Sequence, residues 1–154
     1  MPTSQPMQLH VLFICSHNSA RSQMAEELMR LYSGGTVLVE SAGLEAGALN
    51  PLAVEVLKEV GIDISGKSTQ DAFELYRHGR LFSHVITVCD DSNGERCPVF
   101  PGGVIRQHWS LHDPATFVGT WEEKLELTRQ VRDTIQRLIE EWYEDNVRMV
   151  AKAA

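Results

Sequence analysis

Cysteine is scarce in these 154 residues: there are three, at positions 15, 89 and 97. So small and odd a set excludes a disulfide-stapled scaffold, and any disulfide the chain forms is expected to be transient and chemical. Long apolar runs are missing as well. Nowhere do about eighteen apolar residues follow one another, which excludes a helical membrane span. The opening Met1-Pro2-Thr3-Ser4-Gln5-Pro6 lacks the basic start and apolar stretch of a signal peptide. A cytoplasmic protein is therefore expected. Basic blocks are absent too: the formal charge is -7, the pI about 5.3, and no tract is long enough to follow a phosphate backbone. Nucleic acid is accordingly not an expected partner. With no repeats, low-complexity tract or linker, the length suits one domain over residues 1–154, with loose tails at 1–7 and 148–154.

What is present alternates. Short β-branched runs at Leu9–Ile14, Thr36–Glu40, His84–Val88 and Val104–His108 read as strands, too apolar overall for a sheet with one wet face. Helical patterns lie between them. Met24, Leu28, Leu31 and Tyr32 make one stripe. Asn50-Pro51 reads as an N-cap and first helical position, with Val54, Leu57 and Val60 behind and Gly61 as the stop. Phe73, Leu75 and Tyr76 suggest a shorter helix. The last helix opens on the capping-box pattern Thr120-Trp121-Glu122-Glu123 and carries Leu125, Thr128, Val131, Ile135, Leu138, Ile139 and Trp142 on its core face. This is an α/β pattern with a parallel sheet. In such a sheet ligands bind beyond the carboxyl ends of the strands. Cys15, Cys89 and the Asp113 region all follow predicted strands, so one crevice could hold them.

The segment Cys15-Ser16-His17-Asn18-Ser19-Ala20-Arg21-Ser22 is entered from a strand and leaves into a helix. A loop of that kind turns successive backbone N–H groups inward and places the positive end of a helix dipole at its centre. Residues 16–22 would then cradle an oxyanion, with the planar fork of Arg21 gripping two of its oxygens. Ser22 can donate to the sulfur, and Asn18 suits a position of positive φ or a brace across the loop. Cys15 becomes a nucleophile aimed at the central atom of a tetrahedral oxyanion. The plainer alternative is a small buried thiol and a surface arginine.

Cys89 and Cys97 flank the polar stretch Asp90-Asp91-Ser92-Asn93-Gly94-Glu95-Arg96. As a straight helix it would hold its ends about 12 Å apart, whereas a disulfide needs Cα atoms at roughly 5.5 Å. A bridge there requires the segment to refold, which suggests a redox switch; two ordinary thiols are the alternative. Asp113-Pro114 taken alone is a turn pair. His108 and His112 have no third ligand close in sequence, and no metal site is expected.

The stretch CSHNSARSQMAEELMR resembles the active-site loop and first helix of the low-molecular-weight protein tyrosine phosphatase superfamily, most closely its arsenate reductase branch. His17, Ala20 and Gln23 stand where the phosphatases typically carry Gly, Cys and Pro. ESAGLEAGALNP (Glu40–Pro51), GIDISGKSTQ (Gly61–Gln70) and VITVCDDSNGERCPVFPG (Val85–Gly102) are similar to further family segments, in family order. The resemblance implies a flavodoxin-like, four-stranded parallel sheet of order 2-1-3-4 with helices on both faces, in a monomer. It implies that Cys15 attacks arsenate held by Arg21 while Asp113 protonates the leaving oxygen. Cys89 then attacks Cys15, Cys97 attacks Cys89, and thioredoxin, the electron donor at about -270 mV, reduces the resulting disulfide, with glutaredoxin and glutathione, which serve some relatives, as the alternative reductant; no bound cofactor is implied. Ala115 replaces the aromatic residue that follows Asp-Pro in the phosphatases, which favours a small inorganic substrate over phosphotyrosine, the alternative. Some of these reductases resemble one another in a potassium site. Asn18, Glu26 and Ser41 match it, and Gln70 departs from it.

Overall fold

A computed structural model describes residues 8–90 and 104–148. Four strands, β1 (His10–Cys15), β2 (Leu38–Gly43), β3 (His84–Thr87) and β4 (Ile105–His108), form a sheet of order β2-β1-β3-β4. Every pairing is parallel, with Val11 opposite both Val39 and His84, and Thr87 opposite His108. The order follows from composition: β1 is buried along nearly its whole length and takes a central place.

Alternation along β1 divides the core. Val11, Phe13 and Cys15 join α1 (Arg21–Ser33), α2 (Pro51–Lys58) and α4 (Trp121–Tyr143) on one face. Leu12 and Ile14 point to the other face, where they meet Ala72 and Leu75 of the short α3 (Ala72–Arg77) together with Ala42, Phe82 and Val85. Caps hold the helices where the residues indicated. Asn50 accepts from Leu52 N ahead of Pro51, and Thr120 and Glu123 form the reciprocal capping box of α4. The α4 face of Leu125, Thr128, Val131, Ile135, Ile139 and Trp142 is buried as its spacing required, while Leu138, expected on the same face, is only half-buried. Gly61, at φ +84°, ends the α2 turn.

Several sequence expectations fail in an instructive way. All four residues of β4 are exposed and Ile105 is 60% accessible, so the sheet has a wet edge where four buried strands were expected. Arg106 and Gln107 suit such a short edge strand. β2 starts at Leu38, because Thr36 is spent on a turn with Ser33. On α1, Leu31 faces solvent and Ala25 and Met29 take the core positions. Phe73 and Tyr76 are likewise exposed, leaving Ala72 and Leu75 as the inner face of α3. Val60 lies beyond the end of α2 and is exposed. Of the tails, 1–7 and 149–154 lie outside the described residues, and Arg148 closes a π-helical turn, Glu144–Arg148, with its guanidinium 5.4 Å from the Tyr143 ring centre.

Candidate active site

β1 delivers Cys15 to the carboxyl edge of the sheet, and the chain turns through Ser16–Ala20 into α1. Each outward carbonyl of this turn is taken by the segment that joins β2 to α2. Leu44 N donates to Cys15 O (3.1 Å), Glu45 N to Ser16 O (3.0 Å), Gly47 N to His17 O (3.0 Å) and Asn50 N to Ser19 O (2.9 Å). In a planar trans peptide the N–H points opposite to the C=O, so pinning these oxygens turns the following N–H groups to the concave side. Asn18 N demonstrates it by donating to Cys15 Sγ at 3.2 Å. Ala20 caps α1 without a side-chain hydrogen bond, which leaves first-turn N–H groups for a ligand. Gly43 makes the lacing possible, since a Cβ there would lie 2.6 Å from both Asn18 N and His17 C. His17 itself is exposed, Ser16 and Ser19 are half-buried, and Cys15, Asn18, Ala20, Arg21 and Ser22 are buried.

Asn18 stands at φ +56°, the one non-glycine with positive φ among the described residues. Its amide is fully used. Nδ2 donates to Ser22 Oγ (2.8 Å) and Ser41 Oγ (2.9 Å), and Oδ1 accepts from Gln23 Nε2 (3.0 Å) and Gln70 N (2.8 Å). The donor directions follow. Ser22 Oγ accepts from Asn18, which leaves its own proton available to a Cys15 thiolate, 2.9 Å away. Ser41 Oγ likewise accepts from Asn18 and donates to Glu26 Oε1 at 2.5 Å. The chain of bonds ends in charge: Glu26 Oε2 takes Arg30 Nη2 and Lys67 Nζ, each at 2.7 Å. Both cations also reach Glu27, and although burial pushes its carboxyl up, these ion pairs outweigh burial and hold it below its ordinary value.

Asn18, Glu26 and Ser41 thus converge as the resemblance implied, but the residues do not fit a potassium ion. The Lys67 ammonium already neutralises Glu26, and Gln70 faces Ser41 O with its amide nitrogen (3.0 Å), a donor where a cation needs an acceptor. Among the described residues no three His, Cys, Asp or Glu side chains group as metal ligands. His108 instead bonds Thr87 Oγ1 at 2.7 Å.

Arg21 crosses the crevice. Its Nη1 donates to Leu111 O at 3.1 Å and its Nη2 lies 3.4 Å from Asp113 Oδ2. Asp113 caps the 3-10 turn Pro114–Thr116, accepting from Ala115 N with Oδ1 at 3.0 Å. The turn reading and the site reading therefore both hold for this residue, one carboxylate oxygen for each. Cys89 is buried two residues beyond β3. Val88 N bonds Ile14 O (2.8 Å), so Cys89 lies at the end of the strand beside the Cys15 strand. Val88, rather than Cys89, shares the Cys15 face of the core. Cys89 is disulfide-bonded and Cys15 is a free thiol. Cys97 lies outside the described residues.

The structure thus brings Cys15, the 16–22 loop, Arg21 and Asp113 together and places Cys89 at the neighbouring strand end. Gly43, the 44–50 lacing, Lys67 and the Gln70 amides were not assigned a structural role from sequence. The one available signal was the recurrence of small residues in Ser41–Gly47.

A strand, an oxyanion loop and a helix, with cysteine first and arginine last, define a phosphatase-type site at the carboxyl edge of a parallel sheet. Residues 10–152 match the low molecular weight phosphotyrosine protein phosphatase family, and the chain belongs to that family. It is 43% identical over 136 residues to an arsenate reductase from Bacillus subtilis, covering 87% of this chain and 94% of that protein. An arsenate reductase from Halalkalibacterium halodurans is similar to the same extent, 43% over 136 residues, with 87% and 94% covered. Among solved structures, an arsenate reductase in the phosphate binding state superposes with a TM-score of 0.69 at 29% identity, covering 89% of this chain and 98% of that one.

Proposed function

We propose that this chain reduces arsenate to arsenite through three thiols and is returned to its reduced form by thioredoxin in the cytoplasm, a detoxification reaction. The observation that carries the reading is a free Cys15 in a laced oxyanion loop with a disulfide-bonded Cys89 at the next strand end. The names of the relatives support the substrate. In the reaction, Cys15 sulfur attacks arsenic and a hydroxyl oxygen leaves as water with the Asp113 proton. Cys89 thiolate then attacks Cys15 sulfur, and the arsenic–sulfur electron pair stays on arsenic, which departs as arsenite. Cys97 thiolate attacks Cys89 sulfur, freeing Cys15 and leaving the disulfide between 89 and 97. Thioredoxin supplies two electrons to that bond.

Hydrolysis of an aryl or other small phosphate is the alternative, favoured by the family's own activity; it would need Cys15, Arg21 and Asp113 but neither other thiol. The test is NADPH consumption with arsenate, thioredoxin and thioredoxin reductase, with 4-nitrophenyl phosphate hydrolysis measured beside it. Arsenate-dependent turnover is expected to vanish in Cys15→Ser, Cys89→Ser and Cys97→Ser, the last stalling after one arsenite with a disulfide between 15 and 89. Repeated turnover by Cys97→Ser refutes the relay. Phosphate ester hydrolysis alone, sensitive only to Cys15, would make the chain a phosphatase.

A further inference from the structure

The β3·β4 ladder does not stop at Thr87 and His108. Trp109 N continues it to Thr87 O (2.8 Å) and Leu111 N to Cys89 O (3.2 Å). The next rung is made by side chains: His112 Nδ1 lies 2.9 Å from Asp90 Oδ2. The imidazole N–H donates and the carboxylate accepts. The two partners differ sharply in setting, since the Asp90 side chain is 3% exposed and that of His112 is 70% exposed. A carboxylate so deeply buried requires hydrogen bonds from its surroundings. His112, with little surface of its own to bury, is thereby drawn onto the strand end.

Its neighbours in sequence give this pair its meaning. Asp90 follows Cys89, and His112 precedes Asp113. From His112 onward the backbone has little freedom: Asp113 is extended at φ -83°, ψ 115°, as the residue before a proline must be, and Pro114 is buried. Fixing His112 on one side and Pro114 on the other fixes where the Asp113 carboxylate meets Arg21.

We infer that Asp90 and His112 form a clasp that positions Asp113 for proton transfer, and that both are positioning residues for the reaction. The inference rests on the proposed role of Asp113 as acid. It also ties the acid to the residue beside the second thiol.

The measurement is a double-mutant cycle on pre-reduced protein mixed with excess arsenate and quenched at intervals, reading arsenite formed in the first turnover. His112→Ala should slow that step on the order of tenfold, a fraction of the ~10²–10⁴ that a full general acid supplies. The half-saturating arsenate concentration should stay within about twofold, because the loop and Arg21 are untouched. His112→Asn keeps a donor near the Nδ1 position and should restore most of the rate. Adding His112→Ala to Asp113→Ala should cost nothing further, because the clasp acts through Asp113. Native speed in His112→Ala, or the same fold-loss on both backgrounds, overturns the clasp. If the native protein forms no arsenite, the proposed reaction fails, and the same cycle is decided by the same two results on phenyl phosphate hydrolysis.

Discussion

The two walls of the crevice are built differently. On the Cys15 wall, four backbone carbonyls are taken by residues 44–50, and the Asn18 amide uses every donor and acceptor it has. On the facing wall, the bonds among the described residues include Leu111 N to Cys89 O and the pair of His112 with Asp90, with Arg21 reaching across. The first arrangement suits recognition of an oxyanion, whose donors must be in place before charge develops. The second joins the residues that follow β3 to those that follow β4, two strand ends that only the sheet brings together. One crevice thus combines a wall preorganised by its own loop with a wall assembled from two strand ends.

Damage to the preorganised wall should be costly in proportion to how directly it moves backbone. Gly43→Ala forces a methyl into Asn18 N and His17 C. It should lower kcat/KM for arsenate on the order of 10²-fold, as an ångström-scale displacement does. Circular dichroism should meanwhile remain native; full activity would mean the loop is softer than the lacing implies. Next comes Asn18→Ala, which removes four hydrogen bonds yet keeps a side chain at φ +56°. It should slow both turnover and iodoacetamide alkylation of Cys15 about tenfold. Asn18→Gly relieves the backbone alone, so the gap between the two variants measures the strain.

Smaller effects are expected farther from sulfur. Lys67→Met leaves Arg30 on Glu26 and should reduce kcat about threefold, with Lys67→Arg close to native, because the charge reaches Cys15 only through Ser41, Asn18 and Ser22. Replacing potassium with sodium in the buffer should change nothing; a strong potassium requirement would contradict the ammonium's place on Glu26. The smallest effect concerns the first residue of β3, where it meets α4. Burial lowers the pKa of His84, whose ring stands 5.2 Å from that of Trp142. Unfolding then takes up a proton that the folded ring resists, so stability is intact above pH 6.5 and declines as the pH falls from that value toward the lower folded pKa. The Tm should drop across this window in the native chain and stay flatter in His84→Gln.

Much of the fold could be read from local patterns. The Asn50 and Thr120 caps, the α4 stripe and the β1 run were legible because each depends on neighbours within one or two turns. The Cys15–Ser22 loop was legible for the same reason: strand, small polar residues and helix are contiguous. Leu31, Phe73 and Tyr76 were misread, because hydrophobicity signals that a side chain can be buried, while the partner that buries it comes from elsewhere in the chain. β4 was misread for a related reason, since position at a sheet edge is a property of the whole sheet.

By itself, then, the sequence determined the elements and the chemistry carried in one loop: a thiol, a run of inward N–H groups and an arginine, all within eight residues. Tertiary structure alone decided what aims them. Gly43 against Asn18, Lys67 on Glu26, Asp113 beside Arg21 and His112 on Asp90 join residues 22 or more positions apart. Such contacts leave no periodicity in sequence, because they arise only when elements distant in the chain are folded against one another.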